Sequence, residues 1–434
     1  MEILLSTGYT LFFIFLILRY DFFKPRGLAP RAGILLFAFK LIAGVAVGLI
    51  YTYYYTDRHT ADTFRLFDDS QIVFNTIHSS WRDFFSIMTG IGGDSPHLGP
   101  IYNSMNNWYD IYSPINDNRF MIRFNAALRF ISMGHYYVHV VIVAFLSTSG
   151  TIALFRFLQT YLSDCSKALF LAIGFLPSVL FWGSGLMKDA MVVFALGFTL
   201  YFFGRLLSAP GNRIKMIFFV IALLVLTFSR FQIMVLTLPA LSAWWISVRF
   251  PKHGIVAFPG MVALVTALFF LLSGVYSDID LSSLLYNKQQ SFIRLATEAG
   301  AGSMIKPIKF APYPSDVLLH APLGFATTLL RPFITDSGNP LLVMSGIENL
   351  FILLLGIYCM LDFRKNFRES SSLLLFSIWF VVISFSVIGL VTPVLGAMVR
   401  YKTPALPLLL VVFLLLANPK KRLRLNALAG MLPI

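Results

Sequence analysis

The sequence predicts an all-α polytopic membrane protein, and three observations support this fold class. Apolar residues make up 57 % of the chain and charged residues only 12 %, whereas about a quarter of a soluble domain is charged. The apolar residues are gathered into runs of roughly 20, the length that a helix needs to cross a bilayer. The excess of positive charge is confined to alternate connections between these runs, as expected of a polytopic protein.

We predict eleven membrane-spanning helices from these runs. Their approximate bounds are 3–19, 34–55, 134–154, 168–183, 190–204, 215–229, 232–248, 255–276, 341–361, 371–392 and 403–417. The first run has neither basic residues before it nor a small-residue cleavage site after it, so we expect a retained span rather than a signal peptide. The chain shows no heptad seam, fixed repeat or low-complexity tract, so residues 1–434 are predicted to form one membrane domain.

The distribution of charge predicts which helix ends face the cytoplasm. The net charge is +14, and the excess of Lys and Arg lies in alternate connections, including the tail from Lys420. By the positive-inside rule these connections are cytoplasmic, so the amino terminus is expected outside and the carboxyl terminus inside. Residues 56–132 and 277–340 then form two long extracytoplasmic loops. The chain lacks the interleaving of aromatic and basic residues typical of a nucleic-acid surface, so no nucleic-acid partner is expected.

An acidic stretch, TDRHTADTFRLFDDS at 56–70, directly follows the second predicted span. If it is helical, Asp62, Arg65 and Asp69 share one face, whereas Asp68 points elsewhere. A carboxylate at the mouth of a membrane cavity can accept a proton from an incoming hydroxyl when a neighbouring cation keeps it ionised. Asp62 and Asp69 are therefore candidate general bases and Arg65 a candidate cavity residue. The alternative is an ordinary solvated helix.

The rest of the first long loop predicts one or two helices on the outer membrane surface rather than a separate domain. It contains the amphipathic sequence QIVFNTIHSSWRDFFSIMTG and a later segment rich in Trp and Tyr, which suit the headgroup layer. Between them, GIGGDSPHLG follows no predicted strand and precedes no Lys-Ser or Lys-Thr pair. It is therefore predicted to be a turn and not a phosphate-binding loop.

Two cations are expected at the outer ends of later spans. Gly183, Ser184 and Gly185 interrupt the apolar pattern and are predicted to begin the span that contains Lys188, so that its free backbone N–H groups and Lys188 face an anion. Lys188 is also explained as a solvated or paired residue. Arg230 lies in the short hairpin between two spans, where it either anchors the helices in the headgroup layer or lines a cavity.

The second long loop contains a further apolar segment, VLLHAPLGFATTLLRPFITD. An extra crossing here would reverse the charge-derived orientation of the later connections, so residues 317–333 are predicted to form a re-entrant or interfacial helix. This placement returns His320 and Arg331 to the outer side. Glu348, near the outer end of the next span, is an intramembrane carboxylate and hence a candidate cavity residue.

The last outer turn contains two cations and a phenol in the sequence VRYKTPALP. Arg400, Tyr401 and Lys402 are expected at the mouth of the final span, with Pro404 and Pro407 inside that span. Cations and a phenol at this depth suit a lipid phosphate. A plain anchoring belt is the alternative.

Ionisable residues from five separate segments are thus predicted on the same side of the membrane. A transporter is expected to carry such residues near the bilayer midplane in both halves. One-sided polar chemistry instead favours an enzyme that takes a lipid phosphate from the bilayer. The sequence contains no nucleotide motif and no cluster of metal ligands, and its two cysteines suit neither a disulfide nor a zinc site in this topology. We expect no bound cofactor.

In its acidic segment after an early span, its surface helices in the following loop and its terminal RYKTPALP, the chain resembles the GT-C superfamily of integral-membrane glycosyltransferases. The block LLRPFITDSGNPLLVMSGIENL is also similar to one in bacterial envelope-polysaccharide membrane proteins. The resemblance implies a bacterial inner-membrane enzyme with a polyprenyl-phosphate sugar donor and a glycan or lipid-linked acceptor. It also implies a first-loop carboxylate as the base, with Asp62 the best match and Asp69 the next. Some relatives use a divalent metal, for which no ligand set is evident here.

The expected reaction is transfer of a sugar at the extracytoplasmic face. The residues expected to bind the donor phosphate are Arg400, Lys188, Arg230, Arg331 and Tyr401. One alternative is a polysaccharide polymerase or ligase that joins lipid-linked oligosaccharides and uses Arg331 and His320 in place of Asp62. Another is a lipid or glycan flippase, or a non-catalytic scaffold of an envelope assembly.

Overall fold

The computed structural model of the chain describes residues 1–55, 58, 61–109, 116–250, 256–261, 263–265, 267, 280–298, 300–336, 338–362 and 371–432. Across these ranges the chain is all-helical and has no β-strand, apart from one isolated bridge between Met304 and Val394. The main helices are α1 (Glu2–Arg19), α2 (Ala32–Tyr53), α3 (Asp62–Ser79), α4 (Trp81–Thr89), α5 (Gly99–Asn103), α6 (Asp117–Ser132), α7 (Tyr136–Leu158), α8 (Ser166–Gly174), α9 (Pro177–Trp182), α10 (Lys188–Ser208), α11 (Arg213–Ser229), α12 (Phe231–Arg249), α13 (Leu281–Glu298), α14 (Pro314–Leu330), α15 (Pro340–Met360), α16 (Ser371–Val391), α17 (Leu395–Lys402), α18 (Leu406–Leu416) and α19 (Pro419–Ala429).

Seven of the described helices are long and apolar enough to cross a membrane, namely α1, α2, α7, α10, α12, α15 and α16. They coincide with seven of the predicted spans, which are thereby confirmed as apolar helices. The bent pair of α17 and α18 makes an eighth if it is one span. The predicted count of eleven is not confirmed in the described part of the chain. The predicted span at 255–276 lies largely outside the described residues.

Two predicted spans are broken helices, and proline accounts for each break. The predicted span at 168–183 consists of α8 and α9, because Pro177 begins α9 and disfavours helical backbone at the residue before it. The predicted span at 403–417 is represented by α18, which has only 11 residues and Pro407 in its first turn. It is bent by 60° against α17, at a break that contains Pro404. Neither run forms one continuous helix of spanning length in the described residues.

α11 and α12 form the tight hairpin predicted around Arg230. α11 has 17 residues, fewer than the roughly 20 that cross a bilayer unaided. Arg230 alone separates the two helices, with extended backbone (φ −157°, ψ 95°). The turn is therefore too short to form a loop, and the position of Arg230 is fixed by both helices.

α1 begins at one end of the bundle, and α19 lies at the other. Glu2 Oε1 accepts a hydrogen bond from the Tyr137 backbone N–H at 2.9 Å, so α1 and α7 begin at the same end. α19 packs instead beside the start of α8, where Asn426 Oδ1 accepts a hydrogen bond from the Lys167 backbone N–H at 2.8 Å. The end at which α7 begins is the one that carries the functional residues described below.

α7 is the central helix and is buried along nearly its whole length. Its Gly150 lies directly against Gly197 of α10, where a Cβ atom on either residue would collide with the backbone of the other helix. Small residues allow such close approach between membrane helices. This contact fixes α10 against α7 and so sets the position of the residues at the start of α10.

Four helices, α3 to α6, form a folded layer over the end at which α7 begins, and we call them the first-loop layer. The prediction of one or two surface helices in this loop is therefore too low. The layer has an apolar core that includes Val73, Trp108 and Met121. It packs on α7 and α10 through Phe64 and Phe67. This packing holds α3, and with it the acidic stretch, against the ends of the long helices.

The segment predicted to be a re-entrant or interfacial helix is α14. It runs antiparallel to α16, since the Thr328 hydroxyl donates to the Phe385 carbonyl at 2.8 Å and Gly324 lies against Gly389. These pairs place α14 along the C-terminal half of α16 only. α14 ends beside the middle of α15, where the Asn349 side-chain amide donates to the last carbonyl of α14 at 2.8 Å, and the chain then turns back to the start of α15.

Candidate functional site: an ionic cluster

Seven ionisable side chains meet where α2 ends and α10 begins, and we call them the ionic cluster. They are Asp62 and Arg65 of α3, Asp117 of α6, Lys188 and Asp189 of α10, Arg230 between α11 and α12, and Arg400 of α17. Each lies at or next to an end of a helix rather than at mid-length. The structure therefore brings together five of the residues singled out from the sequence, drawn from four distant segments.

Asp189 is at the centre of the ionic cluster. Its side chain is completely buried, and its two oxygens are shared between two guanidinium groups. Arg400 Nε lies 2.6 Å from Oδ2, and Arg230 Nη2 lies 2.7 Å from Oδ1. Asp189 is also the second residue of α10, where the helix dipole stabilises negative charge. Two cations and the dipole together compensate the cost of burying this carboxylate.

Asp62 is joined to the same arginine. Arg400 Nη1 donates to Asp62 Oδ2, although the two residues are 338 positions apart in the chain. The other oxygen of Asp62 pairs with Arg65, three residues later on α3. The Asp62 side chain is 26 % exposed, compared with 18 % for Asp117 and none for Asp189. Asp62 is thus the most accessible carboxylate of the cluster.

Aromatic rings lie against the two central arginines. The guanidinium carbon of Arg230 is 4.7 Å from the centre of the Tyr401 ring, and that of Arg400 is 5.4 Å from the Trp182 ring. Contacts of this kind stabilise a cation electrostatically and fix the plane of the guanidinium group. Tyr401, predicted to bind a donor phosphate, therefore lies beside the cluster.

Lys188 pairs with a carboxylate that was not singled out from the sequence. Its Nζ lies 2.6 Å from Oδ1 of Asp117, the first residue of α6, and both side chains are mostly buried. The helix begins at Lys188, preceded by Met187 without a side-chain cap, and Ser184 is fully buried. The prediction that the Gly183–Gly185 stretch begins this helix is therefore wrong. Lys188 contributes to the site through Asp117, not as a free cation at an open helix end.

The charges of the ionic cluster do not balance. Four cations face three carboxylates, which leaves an excess of one positive charge. Burial alone would raise the pKa of Asp62, but the guanidinium groups of Arg400 and Arg65 hold that pKa well below its ordinary value. Asp62 is therefore ionised throughout the physiological pH range. The site as a whole favours the addition of an anion.

Asp69 lies on the same face of α3 as Asp62 but does not belong to the cluster. Seven residues of helix separate the two by about 10 Å along the axis. Asp69 is buried and accepts hydrogen bonds from the backbone N–H groups of Asn106 and Asn107, at 3.1 and 2.9 Å, and from the side-chain amide of Asn107. The geometry does not support Asp69 as a catalytic base, because its carboxylate anchors the loop before α6.

His320 and Arg331 also lie outside the ionic cluster, at a separate cavity of about 390 Å³. Arg331 pairs with Asp336 at 2.8 Å. Its carbonyl accepts a hydrogen bond from Lys402, which projects from a different side of α17 than Arg400 does. The prediction that Arg331 assists Arg400 at one phosphate is therefore not supported by this arrangement.

Glu348 is buried within α15 and holds a helix end. Its carboxylate accepts hydrogen bonds from the Ser178 backbone N–H at 3.1 Å and from the Ser178 hydroxyl. Ser178 is in the first turn of α9, so Glu348 caps the positive end of that short helix. The last residue of α9 is Trp182, the ring that lies against Arg400. Glu348 thus acts on the cluster through the position of α9 and does not line it.

Three residues of the site were not identified from the sequence: Asp117, Trp182 and Asp189. Asp189 directly follows Lys188 and suggests a local pair, but adjacent helix residues point about 100° apart and do not face each other. A carboxylate in the first turn of a long apolar helix is the signal that could have identified it. Among the described residues, no group of three His, Cys, Asp or Glu side chains is suited to hold a metal ion.

No protein-family model, curated protein or solved structure matches this chain. The functional argument therefore rests on the geometry of the ionic cluster. That geometry is a largely buried site with an excess of positive charge, assembled at one end of a bundle of apolar helices.

Proposed function

We propose that the chain is a membrane glycosyltransferase that moves a sugar from a polyprenyl-phosphate donor to an acceptor hydroxyl at the extracytoplasmic face. The single observation that carries the proposal is the contact between Asp62 and Arg400. A partly exposed carboxylate and a cation able to bind phosphate share one site, at one end of a bundle of apolar helices. A base and an anion-binding group side by side are the two elements that this reaction requires.

The proposed reaction breaks one bond at the sugar and forms another. The bond from the anomeric carbon to the phosphate oxygen breaks, and the acceptor oxygen bonds to the same carbon. Asp62 takes the proton of the acceptor hydroxyl. The negative charge left on the departing polyprenyl phosphate is stabilised by Arg400, with Arg230 beside it.

Donor binding is expected to activate Asp62. In its present contacts Asp62 is a weak base, because two guanidinium groups lower its pKa. A phosphate bound at Arg400 competes with Asp62 for that guanidinium. The loss of a neighbouring positive charge raises the pKa of a carboxylate, so Asp62 becomes a stronger base once the donor is present. Donor binding therefore precedes proton transfer in this scheme.

The test compares Asp62→Asn and Arg400→Gln with the unchanged chain in cells that synthesise the glycan. We expect the Arg400 variant to lose about 10²- to 10³-fold in product formation, as when a group that stabilises developing negative charge is removed elsewhere. Asp68→Asn, on the same helix but outside the cluster, is the matched control and should retain product. Expression in the membrane is measured for each variant. Wild-type product levels from both Asp62→Asn and Arg400→Gln would refute the proposal.

A second candidate function is a polysaccharide polymerase or ligase that joins lipid-linked oligosaccharides through His320 and Arg331. The observation that favours it is that these two residues line a cavity of their own. Loss of product in His320→Gln and Arg331→Gln, with Asp62 dispensable, would select this function. Movement of a labelled polyprenyl lipid across vesicles by the purified protein, without a new glycosidic bond, would identify a flippase instead.

A further inference from the structure

A second cationic site surrounds the cavity beside α14, and we call it the lysine cavity. Its volume of about 390 Å³ lies within the range of small-molecule sites, roughly 300–1,000 Å³. The basic residues that line it are Lys306, Lys309, His320 and Arg331. Its remaining lining is mostly apolar and includes Leu323 and Pro393.

The wall that carries the two lysines is fixed by backbone pairing. The Ile305 N–H donates to the Pro393 carbonyl at 2.8 Å, and the Leu395 N–H donates to the Ser303 carbonyl at 3.0 Å. The non-helical segment 305–309 is therefore held against the link between α16 and α17. Its lysines are presented at a defined place and not on a free loop.

The positive charge of the lysine cavity is only partly compensated. Arg331 and His320 each have a carboxylate neighbour, at 2.8 and 3.4 Å respectively. Lys306 and Lys309 are exposed and form no ion pair with any residue in the described ranges. Two ammonium groups without an acidic partner thus line one cavity, and each binds phosphate oxygens as a compact point charge.

α14 carries exposed leucines at the cavity and beside it: Leu323 lines the cavity, and Leu319 and Leu330 extend the same helix face. Leu319, Leu323 and Leu330 of α14 are 72 %, 54 % and 42 % exposed. On a helix these positions share one face, which adjoins the stripe of His320 and Arg331. Cationic side chains next to exposed leucines match a ligand with an anionic head and a hydrocarbon tail.

We propose that the lysine cavity binds a phosphate group, with a lipid as the expected source. Lys306 and Lys309 neutralise the phosphate, Arg331 donates to a further oxygen, and the hydrocarbon chain lies on the leucines of α14. None of the residues that line this cavity belongs to the ionic cluster. The inference therefore does not depend on the proposed transferase function.

The test measures binding to the purified full chain in detergent micelles by native mass spectrometry, with farnesyl diphosphate, inorganic pyrophosphate and farnesol as probes. The test variant is the double substitution Lys306→Ala with Lys309→Ala, and the matching double Lys→Arg variant preserves charge. Lys420→Ala, an exposed lysine of α19 at the other end of the bundle, is the control. We expect the double alanine variant to bind farnesyl diphosphate at least tenfold more weakly, and the other two to bind normally.

The ionic cluster can bind the same probe, so the molecules bound per chain are also counted in Arg400→Gln. The double alanine substitution should remove one bound farnesyl diphosphate per chain both in the unchanged chain and in Arg400→Gln. Loss of binding at the lysine cavity is thereby distinguished from loss of binding at the ionic cluster. Equal affinity for pyrophosphate and farnesyl diphosphate would keep the phosphate site and reject the lipid as its source. Farnesol bound as tightly as farnesyl diphosphate, or binding unchanged by the double alanine substitution, would overturn the inference.

Discussion

Two carboxylates of α3, Asp62 and Asp69, are held in opposite ways. Asp62 pairs with the guanidinium groups of Arg400 and Arg65 and is 26 % exposed. Asp69 is 2 % exposed and is held by amide N–H groups of a neighbouring loop. The partners of Asp62 are therefore side-chain cations, whereas those of Asp69 are the amides of a packed loop. On this helix Asp62 thus belongs to the ionic cluster, and Asp69 joins α3 to the loop before α6.

The same contrast separates two buried arginines. Arg129, in the first-loop layer, donates to the Ser70 hydroxyl at 2.9 Å and to the Phe67 carbonyl at 2.7 Å, both neutral groups. Burial lowers the pKa of Arg129 to about 10, and the charge of Asp68 offsets only part of that effect. Arg400 lies instead between two carboxylates. The first-loop layer thus holds a buried cation with neutral groups, whereas the ionic cluster holds its central cation between two carboxylates.

The largest effect on stability is expected from Arg400→Met, because Arg400 pairs with both Asp62 and Asp189. Removing one partner of a buried ion pair leaves the other uncompensated and typically costs about 3–5 kcal/mol. Asp189, which has no exposure to solvent, would keep only Arg230 as a partner, and its Oδ2 would be left without one. Denaturant unfolding in detergent, compared with the unchanged chain, measures this loss.

A second substitution tests the cause of that loss. Adding Asp189→Asn to Arg400→Met removes the carboxylate that has lost one of its two cations, so the double variant should recover part of the stability, as coupled residues in contact do. If the stability losses of the single variants Arg400→Met and Asp189→Asn simply add in the double variant, Arg400 stabilises the chain by packing on Trp182 and not by its charge.

The convergence of the cluster residues was predictable because it follows from the side of the membrane on which each span begins and ends. Asp62, Lys188, Arg230 and Arg400 all border apolar runs, and the distribution of basic residues places them together. Partner choice within the cluster could not be predicted, because it depends on side-chain direction. Arg400, which pairs with Asp189, lies on α17, and the 60° bend between α17 and α18 cannot be read from hydropathy.

The pattern also predicts that Asp62 and Asp69 share one face of α3, but residues on one face can still lie at different distances along the helix axis. Asp69 shares a face with Asp62, yet its position about 10 Å farther along the axis brings it to the loop at Asn106 and Asn107. The breaks at Pro177 and Pro404 show a related limit: a count of apolar residues treats a run as continuous even where a proline ends the helix.

Asp69→Ala tests whether Asp69 has a structural role and not a catalytic one. It leaves the N–H groups of Asn106 and Asn107 without an acceptor, and an unsatisfied buried polar group costs about 1–3 kcal/mol. We expect lower stability but unchanged product per folded molecule, in contrast to Asp62→Asn. Unfolding in detergent and product formation normalised to folded protein are the two measurements. Loss of product without loss of stability would show that Asp69 takes part in the reaction.

The pH dependence of stability sharpens the comparison at Asp62. Its pKa in the folded chain is well below its ordinary value of 3.8, so its ion pairs stabilise the folded state above that value and lose their contribution as the pH falls toward the folded pKa. The difference in unfolding free energy between the unchanged chain and Asp62→Asn should be constant from pH 8 to pH 5 and decrease below about pH 4. A difference that decreases between pH 7 and pH 5 would contradict the assignment, because it would require a raised pKa.

The smallest effect is expected at Asp68, the third carboxylate of this helix. It pairs with Arg58 through two contacts at 2.7 and 2.8 Å, but both side chains remain about half exposed, at 43 % and 51 %. Exposed ion pairs contribute about 0–1 kcal/mol and are screened by salt. Asp68→Asn should therefore change the unfolding free energy by less than about 1 kcal/mol, and high salt should abolish even that difference. The loss in Arg400→Met should persist in the same salt, because screening ions do not reach a buried pair. Salt sensitivity of both variants would mean that water and ions enter the ionic cluster freely, and the distinction between a buried anion site and an ordinary charged surface would then fail.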